Sequence, residues 1–178
     1  MKIYTGRGDE GLTDLRNMQR VSKASGRIEA YGCVDEVNAL VGKVRPTGHD
    51  DIDEKLREIQ NHLHIVQADF ANPDPGEDDP VVREDHVEAV EKMIDEYDDE
   101  LEPLESFVLP GGSDPGARLH HARAVCRRAE RRAVSFAAEE ATVNDTAVVY
   151  LNRLSDTLFT LARVANQREG VPDENPTY

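Results

Sequence analysis

The spacing of apolar residues along the chain predicts long amphipathic helices. In residues 50–70 the apolar positions alternate between spacings of four and three, which places them on one helix face and is typical of the seam of a helical bundle. These positions are Ile52, Leu56, Ile59, Leu63, Val66 and Phe70. Residues 27–44 show a second such face, and Pro46 ends that helix.

Three more helices are predicted in the rest of the chain. A narrow apolar stripe in residues 87–101, within a very acidic stretch, predicts the third. Ser113 or Asp114 can cap a fourth helix, which continues to about Ala138. A fifth begins at residues 144–145 and carries a regular apolar face.

These elements predict an all-α fold. Five helices with short connections and no convincing strand pattern indicate a five-helix antiparallel bundle. We expect a single domain over residues 1–178, which the patterns divide into three parts. The parts are an extended glycine-rich segment (1–25), the helical bundle (26–168) and a tail (169–178).

The histidine and cysteine residues suggest no metal site. His62 and His64 lie off the apolar seam, at a spacing of two, so we expect both to face solvent. Cys33 and Cys126 lie in separate helical patterns and form no CxxC pair, so we expect two free, buried thiols. The protein alone is therefore not expected to hold a metal.

The net charge is strongly negative, at −15, with 36 acidic residues against 21 Lys and Arg. A surface of this charge repels phosphate and argues against general nucleic-acid binding. The excess of acids and the small number of lysines also predict a halophilic protein, since salt weakens self-repulsion. No apolar run is long enough to span a membrane and charged residues follow the first residue at once, so we expect a cytoplasmic protein.

One stretch reverses this charge. Residues 117–132 hold six arginines and a single acid. Arg123, Arg127 and Arg131 recur every four residues, so they form one stripe along the fourth helix, where Glu130 can hold Arg127. Three guanidiniums in a row suit bidentate contacts with phosphate oxygens. The alternative is a solvated helix face with salt bridges, and the pattern alone favours neither.

The N-terminal segment is a candidate anion-binding loop. Three glycines occur within residues 6–11, which leaves backbone N–H groups uncovered for a nest. Thr5, Thr13 and Lys23 can add hydroxyl and ammonium contacts. The segment lacks the GxxxxGK[ST] pattern, so an ordinary N-terminal turn is the more common explanation of the glycines.

Polar residues on two other helices are further candidates. Asp35 follows Val34 in the first helix, and is either a surface acid or a partner for an arginine of the fourth helix. Asn152 and Asp156 lie four residues apart on one face of the fifth helix, with Arg153 beside them.

Four motifs together resemble the PduO-type ATP:cob(I)alamin adenosyltransferases. They occur in the order and at the spacing of that family, over residues 3–168. They are residues 4–13 (YTGRGDEGLT), 27–38 (RIEAYGCVDEVN), 107–113 (FVLPGGS) with 120–132 (HHARAVCRRAERR), and 150–159 (YLNRLSDTLF). The resemblance implies a homotrimeric five-helix bundle with active sites between subunits.

The resemblance also implies roles for single residues. Residues 5–13 match a loop that wraps the triphosphate of ATP, with Mg²⁺ bound through the phosphates. Asp35 and Arg123 match a salt bridge near the corrinoid and the subunit boundary, Phe107 matches an aromatic residue under the corrin ring, and Asp156 matches a structural acid. The catalytic positions implied are Asp35, Phe107, Arg123 and Arg127. The nucleotide-binding positions implied are Thr5, Gly6, Arg7, Gly8, Asp9, Gly11, Thr13, Lys23, Arg127, Arg128, Glu130, Arg131, Asn152 and Arg153.

The implied reaction transfers the 5′-deoxyadenosyl group of ATP to the cobalt of cob(I)alamin and releases triphosphate. Cobalt in this state is itself a strong nucleophile, so a Ser, Cys or His nucleophile is not needed, and none is arranged in the sequence. A corrinoid reductase and an adenosylcobalamin-dependent enzyme are the expected partners. The alternatives are a non-catalytic protein that delivers a nucleotide or corrinoid, and an RNA-binding bundle, which the acidic surface and few aromatic residues disfavour.

Overall fold

The structure, a computed structural model, describes residues 3–140 and 142–178. Its helices are α1 (Gly26–Val44), α2 (Asp50–Phe70), α3 (Glu84–Asp98), α4 (Asp114–Glu139) and α5 (Asp145–Arg168). The prediction of five helices is confirmed, with boundaries close to those that the apolar spacing indicates. The third helix is the exception, because Leu101, which belongs to its predicted stripe, lies beyond its end.

Polar side chains cap α4 and α5 at the starts predicted for these helices. The Ser113 hydroxyl accepts a hydrogen bond from the backbone N–H of Gly116 at 3.2 Å. The Asn144 side-chain oxygen accepts one from the backbone N–H of Thr146 at 3.1 Å. These bonds satisfy first-turn N–H groups that have no partner within the helix, so the chain enters α4 and α5 at fixed residues.

The N-terminal segment contains a β-hairpin, which corrects the prediction of a chain without strands. β1 (Leu12–Asp14) pairs antiparallel with β2 (Arg20–Ser22), with Thr13 opposite Val21. Strands of three residues are too short to show a clear alternation of apolar and polar positions, and these are largely polar. The sequence pattern therefore could not indicate them.

The hairpin is attached to the end of α2. Leu15 is buried, and the backbone N–H of Arg16 donates to the carbonyl of Ala71 at 3.1 Å. The Arg16 side chain forms an ion pair with Asp79 at 2.7 Å. The N-terminal segment is therefore fixed to one end of the bundle.

Successive helices run in opposite directions, as an antiparallel bundle requires. α1 packs against α2 and α4, and α5 packs against α4 and α3. Contacts at both ends show the directions: Glu91 of α3 pairs with Arg153 of α5, and Glu100, just after α3, pairs with Arg168. α3 and α5 therefore run parallel, and the connection from α3 to α4 crosses the end of α5.

α5 is the central helix of the bundle. Its residues 160–166 are all buried, because α3, α4, the loop before α4 and the tail surround them. That run includes the polar residues Thr160, Arg163 and Asn166. A buried polar side chain needs a hydrogen-bond partner, and Arg163 and Asn166 find theirs in the loop before α4 and in the tail.

His62 is half-buried, so the prediction that it faces solvent is wrong. Its ring meets the edge of His86 at a centroid distance of 4.8 Å and of Tyr150 at 5.7 Å. α3 and α5 cover α2 beyond its apolar seam, which the spacing of that seam does not reveal. Burial and the charge of His86 lower the pKa of His62. His64 is exposed as predicted.

Cys33 and Cys126 are both free and buried, which confirms the prediction for the thiols. Burial raises the pKa of both thiols, so they are held in the uncharged form. Among the helices of residues 3–140 and 142–178, none is long and apolar enough to cross a membrane.

Candidate functional site

The six arginines of α4 divide into two groups according to their partners. Three of them form ion pairs with carboxylates of α1 or of α4 itself: Arg118 with Asp114, Arg128 with Glu36 and Arg132 with Glu29. The other three, Arg123, Arg127 and Arg131, form no ion pair within the described residues. The unpaired group is the stripe with a spacing of four, on the side of α4 that faces away from α1.

A polar cleft lies along the end of that stripe. It has a volume of about 500 Å³ and is lined by α4 and α5 alone. Its lining residues are Arg127, Glu130, Arg131, Val134, Ser135 and Asn152. The structure thus brings together four of the predicted nucleotide-binding residues, from two helices that are antiparallel neighbours.

Hydrogen bonds fix the side chains of the polar cleft. The Asn152 amide nitrogen donates to Glu130 at 2.8 Å, and its oxygen accepts from Arg153 at 2.9 Å. Arg153 is held in turn by Glu91 of α3 at 2.7 Å. Glu130 therefore orients Asn152 rather than Arg127, and the guanidinium of Arg127 remains available to a ligand.

An aromatic cleft of about 270 Å³ lies beside the polar cleft and shares Arg127 with it. It is formed by α4, α5 and the loop before α4. Its lining residues are Leu104, Ser106, Phe107, Val108, Arg123, Arg127, Ser155, Asp156 and Phe159. Phe107 is 80% exposed, so the cleft presents an uncovered aromatic ring beside two cationic side chains.

Arg123 is shaped by this apolar setting. Its guanidinium lies 5.5 Å from the centroid of the Phe159 ring. Burial lowers the pKa of Arg123 and the charge of Arg127 lowers it further, while Asp156 acts in the opposite direction. Two like charges are therefore held close together, an arrangement that an anionic ligand would stabilise.

The structure leaves Asp35 apart from Arg123. Asp35 is exposed on α1 and forms no ion pair within the described residues. Arg128 faces α1, where it pairs with Glu36, and lines neither cleft. The salt bridge between Asp35 and Arg123 and the role of Arg128 in nucleotide binding stay predictions.

The glycine-rich loop is folded on itself. Arg7 forms two hydrogen bonds with Asp14, at 2.9 and 2.8 Å, and Lys23 donates to the carbonyl of Gly8 at 2.8 Å. Gly6 and Gly11 have φ values of 73° and 76°, a region that glycine adopts without strain.

None of the residues of this loop lines the polar or the aromatic cleft. This applies to every N-terminal position in the predicted nucleotide site, namely Thr5, Gly6, Arg7, Gly8, Asp9, Gly11, Thr13 and Lys23. Within one chain, the N-terminal half of the predicted triphosphate site therefore does not line the cleft that contains the helical half.

Some lining residues were not singled out from the sequence. Phe159 forms a wall of the aromatic cleft, and Val134 lies at the edge of the polar cleft, 52% exposed. Phe159 follows Asp156 by three residues on α5, so helical spacing could have identified it. The sequence does not identify Val134, because an apolar residue on a helix is normally read as a core residue. Only the tertiary structure shows that this side chain is exposed.

No group of three His, Cys, Asp or Glu side chains among residues 3–140 and 142–178 is arranged to hold a metal ion.

Comparisons with known proteins agree with these observations. A family model described as cobalamin adenosyltransferase matches residues 3–165. The corrinoid adenosyltransferase of Mycobacterium tuberculosis is 44% identical over 173 residues, which cover 93% of this chain and 89% of the relative. That of Bacillus subtilis is 40% identical over 178 residues, which cover 97% and 91%.

Solved structures show the same fold. One is a variant of the PduO-type ATP:corrinoid adenosyltransferase from Lactobacillus reuteri, complexed with cobalamin and ATP. It superposes with a TM-score of 0.90 at 35% identity and covers 98% of this chain and 96% of that chain. With the motifs, the five-helix bundle and these matches in agreement, this chain belongs to the cobalamin adenosyltransferase family.

Proposed function

We propose that this protein transfers the 5′-deoxyadenosyl group of ATP to the cobalt of cob(I)alamin, forming adenosylcobalamin and releasing triphosphate. The observation that carries this proposal is the stripe of Arg123, Arg127 and Arg131. In a chain with 36 acidic residues, these three cations form no ion pair within the described residues, and they line two adjoining clefts. One cleft suits a polyphosphate and the other suits a large planar ring.

The electron balance explains why the reaction needs no Ser, Cys or His nucleophile from the protein. The electron pair of cobalt(I) in the substrate forms the bond to C5′ of ATP. The bond between C5′ and the α-phosphate oxygen breaks, and triphosphate leaves with the electron pair of that broken bond. The protein must align the two substrates and stabilise the growing negative charge, and fixed guanidiniums are suited to both tasks.

Arg127 is the residue that can serve both substrates. It lines both clefts, so its guanidinium lies where the leaving triphosphate and the corrinoid would meet. Arg131 and Asn152 extend the polar side. The second carboxylate oxygen of Glu130 is of the kind that Mg²⁺ accepts, so the residues present fit Mg²⁺ carried by the phosphates.

Phe107 would act on the corrinoid side. An exposed aromatic ring under the corrin would exclude water and a lower axial ligand from cobalt. Removing that ligand favours four-coordinate cobalt and makes the reduction to cobalt(I) easier. A corrinoid reductase would supply this reduced substrate, and an adenosylcobalamin-dependent enzyme would accept the product.

An anaerobic reaction tests the activity. Cob(I)alamin and Mg-ATP are mixed with the protein, and the absorbance spectrum is followed. Turnover converts the spectrum of cob(I)alamin into that of adenosylcobalamin. A protein that only binds or delivers its ligands leaves cobalt in the starting state, and that result would overturn the proposal.

A homotrimer would explain why the glycine-rich loop lines neither cleft of its own chain. We propose that this loop from one subunit completes the polar cleft of its neighbour, where exposed Val134 supplies apolar contact area. A loop fixed to one end of its own bundle and a cleft formed by α4 and α5 alone support this arrangement.

Mixed subunits test this arrangement. Chains with Lys23→Ala and chains with Arg127→Ala are each expected to be poorly active. If each site takes its loop and its helix from different subunits, randomly mixed trimers recover about a quarter of the wild-type activity. If both parts come from one subunit, mixing recovers none.

A further inference from the structure

Residues 102–113 form the loop that carries Phe107. The side chain of Phe107 does little to anchor this loop to the bundle. The Phe107 side chain is 80% exposed. We propose that Arg163 and Asn166 of α5, together with Asp173 of the tail, are positioning residues that set the place of Phe107 and hence corrinoid binding. This inference rests on the proposed function.

Arg163 holds the beginning of the loop. Only 6% of this residue is exposed, although it carries a full charge. Its Nη2 donates to the carbonyl of Glu102 at 2.9 Å, and its Nε donates to Asp173 at 2.7 Å. Its guanidinium also lies 6.0 Å from the centroid of Phe159, on a wall of the aromatic cleft. A buried guanidinium is stable only beside groups that pair with it, so these partners fix the position of the Arg163 side chain.

Asn166, one turn further along α5, holds the end of the loop. Its amide nitrogen donates to the carbonyl of Gly111 at 2.9 Å, and its oxygen accepts from both the N–H and the hydroxyl of Ser113, each at 2.8 Å. A Cβ atom on Gly112 would lie 2.3 Å from this amide, and one on Gly116 would lie 1.9 Å from it. The two glycines therefore allow the end of the loop and the first turn of α4 to approach Asn166 closely.

The tail contacts the loop between the positions that Arg163 and Asn166 hold. The N–H of Leu109, two residues after Phe107, donates to the carbonyl of Glu174 at 2.7 Å. The N–H of Val171 donates to the carbonyl of Asn166 at 2.8 Å, so the tail is itself attached to α5. Asp173 lies between these two tail contacts and carries the ion pair with Arg163.

Through these contacts a single helix, α5, positions both walls of the aromatic cleft. α5 supplies Asp156 and Phe159 directly, and it places Phe107 through Arg163, Asn166 and the tail. The distance between the walls is then set by a rigid element rather than by the loop. Such support matters because an error of about 1 Å in the position of a reacting group can cost on the order of a hundredfold in rate.

The first experiment compares Asp173→Ala with Arg168→Ala. Arg168 lies near the same end of α5, but its partners Asp51 and Glu100 precede the loop, and its side chain forms no hydrogen bond or ion pair with residues 102–113 or with the tail. We expect Asp173→Ala to lower kcat/KM for cob(I)alamin on the order of tenfold while KM for ATP stays unchanged. Arg168→Ala should change thermal stability but neither constant, and Asp173→Asn, which keeps an acceptor for Arg163, should recover part of the loss.

A double-mutant cycle tests whether Asp173 acts through Phe107. In the Phe107→Ala background, Asp173→Ala should cause no further loss, because the group it positions is already absent. An equal loss in both backgrounds, or no loss in either, would overturn the inference.

A fluorescence measurement tests positioning without any activity. The chain contains no tryptophan, so Phe107→Trp introduces a single reporter into the loop. Adding Asp173→Ala should lower the fluorescence anisotropy of this tryptophan, and adding Arg168→Ala should leave it unchanged. Equal anisotropy in all three proteins would overturn the inference even if the enzyme is active, whereas an inactive wild-type protein would overturn only the proposed function.

Discussion

The polar and the aromatic cleft share Arg127 and the helices α4 and α5, yet they are constructed differently. The polar cleft consists of side chains from these two helices alone. The aromatic cleft also needs a loop of irregular chain, held by residues 50 or more positions away in sequence. Charge can thus be placed by helical spacing, whereas the place of the exposed ring depends on tertiary contacts.

Replacing the shared residue should have the largest effect. Arg127→Ala removes a guanidinium from both clefts, so we expect kcat/KM for each substrate to fall about 100- to 1,000-fold. Steady-state kinetics with each substrate varied in turn would measure this. Arg132→Ala is the matched control, since Arg132 pairs with Glu29 outside both clefts. Similar losses in the two variants would contradict the division of the α4 arginines into a group that lines the clefts and a group that pairs with carboxylates.

Phe107→Ala should affect only the aromatic cleft. We expect adenosylation to slow on the order of ten- to a hundredfold, because cobalt loses its apolar cover and its alignment. Single-turnover kinetics would measure the rate, and calorimetry would measure ATP affinity, which should stay nearly intact. Phe107→Leu, which keeps an apolar side chain, should lose less. A loss of ATP binding would show that the two clefts are not separate in function.

Asn152→Ala should affect only the polar cleft. It removes a hydrogen bond to Glu130 and leaves Arg153 without one acceptor. We expect KM for ATP to rise about tenfold, which corresponds to the loss of a good polar contact, while KM for the corrinoid stays constant. Gln167→Ala is the control, because this amide of the same helix donates only to the carbonyl of Glu100. A rise in KM for the corrinoid would contradict the prediction.

The smallest expected effect is a loss of folding stability at acidic pH, caused by a buried histidine next to the aromatic cleft. His120 is buried beside Phe159, and neither ring nitrogen has a partner among the described residues. Burial lowers the pKa of His120 and the charge of Arg123 lowers it further, while Asp173 acts in the opposite direction. The unfolded chain therefore binds the proton more readily, so stability is greatest above a pH of about 6.5 and is lost as the pH falls below it.

His120→Leu should reduce this loss of stability. Denaturant unfolding at a series of pH values between neutral and acidic would measure the slope, part of which His62 also contributes. The control is His121→Leu, on an exposed neighbouring position, which should leave the slope unchanged. An unchanged slope in the His120 variant would show that His120 is not the group responsible.

The sequence predicted much of the fold because helical periodicity is a local property. The seam of α2 and the starts of α4 at residues 113–114 and of α5 at residues 144–145 were readable within windows of a few turns. The hairpin was not, because three-residue strands carry no such pattern. His62 was misplaced for a related reason: one apolar seam shows which side of a helix is buried, but not how far neighbouring helices extend around it.

In the candidate site, too, one part could be predicted from local spacing and another part could not. By itself the sequence determined that Arg123, Arg127 and Arg131 share a helix face, since a spacing of four requires it. Only the tertiary structure decided that these three arginines form no ion pair within the described residues, while Arg128 and Arg132 pair with α1. It also decided where Phe107 lies, because hydrogen bonds from Arg163 and Asn166 join parts of the chain that no local pattern connects.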